Sequence, residues 1–165
     1  MGRMRIRQAT SVDLPAITGI YNHYVGHSHA TFDVGAFSVS DRQSWFDQFD
    51  GRRYQCWLAE TENTVVGYAC SMPFKAKTAY QTSVEVSIYV AADAHRRGIG
   101  RALYQALLPA LEAEDLHRAY AGISQPNESS MALHAAFGFQ QAAHFREVGR
   151  KFDRYWDVIW LERPL

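Results

Sequence analysis

Read for side chains that can do chemistry, the chain offers one carboxylate, one basic glycine-rich turn and one histidine. Glu85 lies in Val84-Glu85-Val86-Ser87-Ile88-Tyr89-Val90, a run rich in β-branched residues. Period-two alternation puts Glu85, Ser87 and Tyr89 on one face of a strand and Val84, Val86, Ile88 and Val90 on the other. A carboxylate on a central strand is costly unless it is solvated, paired or functional. Glu85 is therefore either a strand residue turned to water or a general base. After this strand comes His95-Arg96-Arg97-Gly98-Ile99-Gly100-Arg101, a basic turn that opens a helix. Unpaired amides and the helix dipole favour an anion at such a start. The glycines admit a pyrophosphate close to the main chain, and Arg96, Arg97 and Arg101 add charge. Gly-x-Gly alone is a weak signal, and a solvated basic turn reads the same way. His134 titrates near neutrality, so it can donate a proton, orient a substrate, or simply cap and pack a short helix.

The elements that must position these groups follow from periodicity. Arg3 to Ala9 reads as a strand. Thr10 to Asp13 starts a helix that carries Leu14, Ile17, Ile20, Tyr21 and Tyr24 on one face, with Pro15 in its first turn. A second helix is expected from Ser40-Asp41, carrying Trp45, Phe46 and Phe49 and ended by Gly51. Gln55 to Glu60 and Thr64 to Met72 form a hairpin, Pro73 to Ala79 a lysine-bearing loop, and Gln81 to Val90 the strand of Glu85. Gly98 to Glu114 is a helix whose last turns Pro109 should kink or loosen. Ala119 to Ser124 is a strand. Asn127 to Phe137 is a short helix capped by Asn127 and closed by Gly138. Phe139 to Val148 and Arg150 to Leu161 end the series. This order predicts one domain over residues 1–165, of α+β class, with a mixed rather than doubly wound sheet.

Bulk composition narrows the partners. The 165 residues are 47% hydrophobic and 21% charged, enough to bury a full core without staples. Lys+Arg and Asp+Glu stand at 17 each, so no net basic field draws nucleic acid or an anionic membrane, and any phosphate site is local. Cys56 and Cys70 read as small core residues in a reducing compartment. Met1 to Arg7 holds three arginines with no apolar run behind them, which argues against a secretory signal. Gly2 lacks the Ser or Thr of a myristoylation motif, which would stand where Ile6 is. No stretch is apolar enough to span a bilayer. A cytoplasmic protein is the expectation. His23, His27 and His29 have only Asp33 beside them at ligand spacing and cross from helix to loop, so no metal is expected.

The phosphate loop fits neither a dinucleotide fingerprint, which needs G-x-G-x-x-G near the first strand, nor a P-loop ending in Gly-Lys-Ser/Thr. It resembles the Gln/Arg-x-x-Gly-x-Gly/Ala signature of the GNAT superfamily, whose second half is matched by Asn127, Leu133 and Gly138-Phe139. The likeness extends nearly end to end. Ile20 to Val25, Ala30 to Asp33, Val66 to Ala69, Val84 to Val90, Asn127 to Ser130 with Leu133-His134, and Val148 to Phe152 with Asp157-Val158 resemble the phosphinothricin and methionine sulfoximine N-acetyltransferase family. That resemblance implies a GNAT fold, with a mostly antiparallel seven-stranded sheet flanked by about four helices. It also implies acetyl-CoA as donor, a small amino-acid-like amine as acceptor, and a homodimer.

Residue by residue, the resemblance puts Glu85 at the catalytic position, acting directly or through a water. It puts His134 where many relatives carry a tyrosine acid. Ile88, Tyr89 and Val90 are then expected to bind the pantetheine arm through their backbone, beside a strand that splays away. An amide of Ile88 or Tyr89 would serve as oxyanion donor. Arg96 to Arg101 would hold the pyrophosphate, with Asn127 and Ser130 near the arm. Phe32, Lys75, Lys77, Tyr80 and Gln81 are the candidates for contact with acceptor, while Tyr24 and Trp156 are assigned to the core. Two departures stand out. His95-Arg96 replaces Arg-Gly, which matters only if that position needs positive φ. Gln81 replaces an arginine and supplies no charge. Two other readings share the motifs: acetylation of a protein or peptide amine, and a catalytically silent acetyl-CoA-binding protein.

Overall fold

The computed structural model describes residues 2–165. The strands are β1 (Arg5–Gln8), β2 (Cys56–Thr61), β3 (Thr64–Pro73), β4 (Ser83–Val90), β5 (Arg118–Ser124), β6 (Gln140–Lys151) and β7 (Arg154–Pro164). The helices are α1 (Leu14–His27), α2 (Val39–Phe46), α3 (Ile99–Glu112) and α4 (Glu128–Ala136). One seven-stranded sheet runs β1-β2-β3-β4-β5-β7-β6. Every neighbouring pair is antiparallel except β4 and β5. These two are parallel because α3 carries the chain back across the sheet between them.

The alternation read from β4 sorts the two layers. Val84 and Val86 pack with Leu103, Tyr104, Leu107, Leu108 and Leu111 of α3. Each fully buried leucine of that stripe contributes about 1.5–3 kcal/mol. The opposite face holds Leu58, Tyr68 and Cys70 against Ile17, Ile20, Tyr21 and Val25 of α1. Cys56 and Cys70 are buried, free thiols, as expected of small core residues. Arg7 ties β1 to the start of α1 through two 2.8 Å bonds to the buried Asp13, which also takes the Thr10 amide.

Parallel pairing of β4 with β5 covers only Ser83–Arg118, Val84–Ala119 and Glu85–Tyr120. Beyond Glu85, β4 stays with β3 as far as Val90, and β5 stays with β7 as far as Ser124. The strands splay, and the gap opens at Glu85.

Some boundaries differ from expectation. β4 begins at Ser83, because Thr78–Tyr80 forms a 3-10 turn that Gln81 closes. α2 starts earlier, on Ser38, whose hydroxyl accepts from the Asp41 amide. Pro109 leaves α3 continuous to Glu112. The last hairpin turns at Phe152-Asp153, with φ of 54° and 57°, rather than at Gly149. Gly149 stays inside β6 because Phe32 lies on it: a Cβ there would meet the Phe32 ring at 2.2 Å. Among the described residues no helix is long and apolar enough to cross a membrane, and no cluster of metal-ligating side chains forms.

Candidate active site

Beyond β4 the chain takes left-handed φ at Arg96 (65°) and at Gly98 (73°), then enters α3. The first helical bond runs from the Ala102 amide to the Gly98 carbonyl at 3.0 Å, so the amides of Ile99, Gly100 and Arg101 precede the ladder. A left-handed residue followed by helical ones turns successive amides toward one point, a concavity suited to an anion. Arg96, Arg97 and Arg101 are exposed around it. Gly100 is required for packing. A Cβ there would stand 3.1 Å from Leu133 of α4, closing the space between the two helices. The left-handed φ at Arg96 strains a residue that has a side chain, about 1–2 kcal/mol against glycine.

From this loop a cleft of about 660 Å³ follows the gap, walled by Ile88 to Val90 on one side and by Gly122 to Ser124, Asn127, Ser130 and Leu133 on the other. Asn127 both lines the cleft and caps α4, its Oδ1 accepting from the Ser130 amide at 3.2 Å. Main-chain directions along β4 follow from one bond. The Ala91 amide donates to Val66 of β3 at 2.8 Å. By alternation Tyr89 also faces β3, while the amides and carbonyls of Ile88 and Val90 face the gap. Of the two oxyanion candidates, only Ile88 has its amide in the gap. The Val90 carbonyl is already taken: the Tyr24 hydroxyl donates to it, and His95 Nε2 lies 2.8 Å from that hydroxyl. Tyr24 packs on the α1-side core, as expected, and also lines the cleft. Trp156 is buried as expected and stacks on His29 at 4.1 Å.

Glu85 sits where the gap opens. It is half-buried and makes no side-chain hydrogen bond among the described residues. Burial holds its carboxyl above the ordinary carboxylate range. A half-buried carboxylate without a partner has the properties of a general base. His134 differs. It is 1% exposed, its Nδ1 lies 2.7 Å from the Ser130 carbonyl, and its Nε2 lies 2.7 Å from the Tyr104 hydroxyl. A carbonyl only accepts, so Nδ1 carries the proton and Nε2 accepts from Tyr104. Both nitrogens are thereby engaged in the neutral form, and burial lowers the pKa.

The model of the acetyltransferase (GNAT) family matches residues 19–139. The chain belongs to the GNAT acetyltransferase family. It is 50% identical to the phosphinothricin N-acetyltransferase of Streptomyces coelicolor, over 98% of this chain and 96% of that one. It is 34% identical to the L-methionine sulfoximine/L-methionine sulfone acetyltransferase of Pseudomonas paraeruginosa, over 97% and 94%. A crystal structure of a GNAT phosphinothricin acetyltransferase from Sinorhizobium meliloti in complex with AcCoA superposes with a TM-score of 0.93, at 34% identity, covering 98% of this chain and 88% of that one.

On the GNAT frame the acceptor-side expectations fare unevenly. Phe32 is half-buried beside Gly149, but Lys75, Lys77, Tyr80 and Gln81 are exposed on the β3–β4 loop. None of these five lines the cleft, whose β4 wall starts at Val86, one residue past Glu85. Instead, three other rings occupy the Glu85 face. Tyr120 is the register partner of Glu85, Phe74 stacks on Tyr120 at 4.3 Å, and Trp160 meets Phe74 edge-on at 5.9 Å. The alternation of Tyr120 with the small Ala119 and Ala121 was their available signal in the sequence. Lys151, also unforeseen, is buried and donates to the carbonyls of Ser28 (2.7 Å), Thr31 (2.8 Å) and Tyr24 (3.3 Å).

Proposed function

We propose that the chain transfers the acetyl group of acetyl-CoA to the primary amine of a small amino-acid-like molecule, with Glu85 as general base. The observation that carries this reading is the gap between β4 and β5, which starts at Glu85 and leads to the anion-binding start of α3. The residues fit the co-substrate. Free amides of Ile99 to Arg101 and the arginines around them suit a pyrophosphate. The Ile88 amide and carbonyl and the Val90 amide offer an extended arm the bonds of an added strand. When bound, acetyl-CoA supplies the activated acyl group.

Glu85 takes a proton from the acceptor ammonium, directly or through one water, and frees the lone pair for attack on the thioester carbonyl. The Ile88 amide donates to the oxygen on which charge develops. The new C–N bond forms, the C–S bond breaks, and the second amine proton goes to the leaving thiolate. His134 holds Ser130 and the start of α4 against Tyr104, a positioning role that fits its two engaged nitrogens. A half-buried aromatic wall beside Glu85 supports a small acceptor over a polypeptide. A homodimer and a cytoplasmic location belong to the same reading. Support comes from the exposed Phe145, Val148, Phe152 and Tyr155 of the last hairpin and from the unpaired thiols.

The test is thiol release from acetyl-CoA with methionine sulfone, phosphinothricin and neutral amines, with sedimentation for the assembly. Turnover on an amino-acid-like amine that Glu85→Gln abolishes is the expected result. Turnover confined to peptide amines, or unaffected by Glu85→Gln, would overturn it.

A further inference from the structure

The inference drawn here rests on the acetyl-transfer reading and names what holds the acceptor. The gap closes at the Glu85–Tyr120 pair, so an amine within reach of Glu85 has its remaining atoms over the same face of β5 and β7. That face is identified by register. Arg118, Tyr120 and Gly122 alternate along β5, opposite Pro164, Glu162 and Trp160 of β7. Register partners point the same way. At Gly122 the face has no side chain, and a Cβ there would lie 3.0 Å from the Trp160 ring. Trp160 therefore lies flat over the sheet. With Phe74 and Tyr120 it forms a continuous apolar wall next to Glu85.

The charges on this face are few. Glu85 and Glu162 are carboxylates. Lys75 is exposed, its Nζ 5.5 Å from the Phe74 ring. Arg118 is the remaining cation. It pairs in register with Ser83, one step along the ladder from Glu85 and Tyr120, and it is half-buried. Among the described residues its guanidinium makes no salt bridge and no hydrogen bond. Two residues of strand span about 7 Å, a separation an arginine side chain and an α-amino acid together bridge. A half-buried guanidinium with five donors and no protein partner is open to an anion. Gln81, on the neighbouring loop, is exposed and uncharged.

We propose that Arg118 receives the carboxylate of the acceptor while Phe74, Tyr120 and Trp160 hold its apolar body, which places the amine at Glu85. The acceptor class is then a small α-amino acid with an uncharged side chain. A second acidic group would have Glu162 beside it and no second half-buried cation.

The experiment compares methionine sulfone with its carboxamide, and with phosphinothricin, using acetyl-CoA and thiol release. Wild type is expected to favour methionine sulfone over both. Arg118→Gln should raise KM for methionine sulfone about ten- to a hundredfold, the worth of a charge-assisted bond, and leave KM for the carboxamide in place. Arg118→Lys should recover part of the loss. Phe74→Leu, which keeps an apolar side chain against Tyr120, should raise KM for acid and amide alike. An equal effect of Arg118→Gln on acid and amide, or none, would overturn the anchor while acetyl transfer stands. Wild type favouring phosphinothricin would overturn the proposed acceptor class. Absence of transfer to all three acceptors, with acetyl-CoA still bound, would remove the underlying reading together with the subsite.

Discussion

The two sides of the site are made of different material. The cofactor side is main chain: the amides of Ile99 to Arg101, the free edge of β4 and the glycine at position 100. On the proposed reading the acceptor side is side chain, brought from three separate segments by Phe74, Tyr120 and Trp160. A main-chain site depends on backbone conformation and tolerates changes of residue type, which is why His95-Arg96 still gives a left-handed turn. A side-chain site has no such tolerance. Each substitution there alters shape or charge directly, so specificity changes faster than cofactor binding.

The largest expected effect isolates chemistry from both sides. Glu85→Gln should lower kcat/KM by about 10²–10⁴-fold, with acetyl-CoA affinity from calorimetry unchanged. On the proposed reading Glu85 acts as the free carboxylate; since burial raises its pKa, wild-type kcat/KM should climb as pH rises through a value above the ordinary carboxylate range, then level off. A profile flat across that range would argue for another base.

Lys151 links the two sides, since the carbonyls it binds belong to the segment that lines the cleft and leads to Phe32. Lys151→Met should cost about 3 kcal/mol in urea unfolding, because charge-assisted bonds are lost and carbonyls are left buried. It should raise KM for acceptor as well. A loss below about 1 kcal/mol would show that the loop holds itself.

Tyr24→Phe tests the Val90 carbonyl. Without the Tyr24 hydroxyl that carbonyl keeps only His95 Nε2, at 3.2 Å, and can serve the cofactor, so KM for acetyl-CoA should move by less than tenfold while stability falls by about 1 kcal/mol. A tenfold rise would mean that the hydroxyl itself is part of the cofactor site.

Smallest of the four is Arg96→Gly. Relief of left-handed strain offsets the extra freedom glycine has when unfolded, leaving a net gain of about 0.5 kcal/mol. Arg96→Ala keeps the strain and should show no such gain. Equal midpoints for the two variants would contradict a strained turn.

Much of this was legible in one dimension. The alternation around Glu85 placed it on the right face, and Asn127 and Gly138 marked α4 within a residue or two. Local rules carried these readings because each depends on near neighbours in sequence. The last hairpin was misplaced because Gly149 looks like a turn signal, whereas its lack of a side chain serves Phe32, more than a hundred residues away. Tyr24 packs on the core as its helical periodicity indicates, but periodicity does not show that its hydroxyl reaches the Val90 carbonyl. For His134 the sequence leaves acid, orienting and packing roles open, because the contacts of its two nitrogens with Ser130 and Tyr104 depend on the tertiary fold.

By itself, then, the sequence determined the order of elements, the glycine-rich, basic start of α3 and the family, because short-range spacing governs strands, caps and glycine turns. Only the tertiary structure decided where β4 and β5 part, which amide enters the gap, and which rings share the face of Glu85. Those facts depend on register between strands far apart in the chain, and register is set by the packing of the whole sheet.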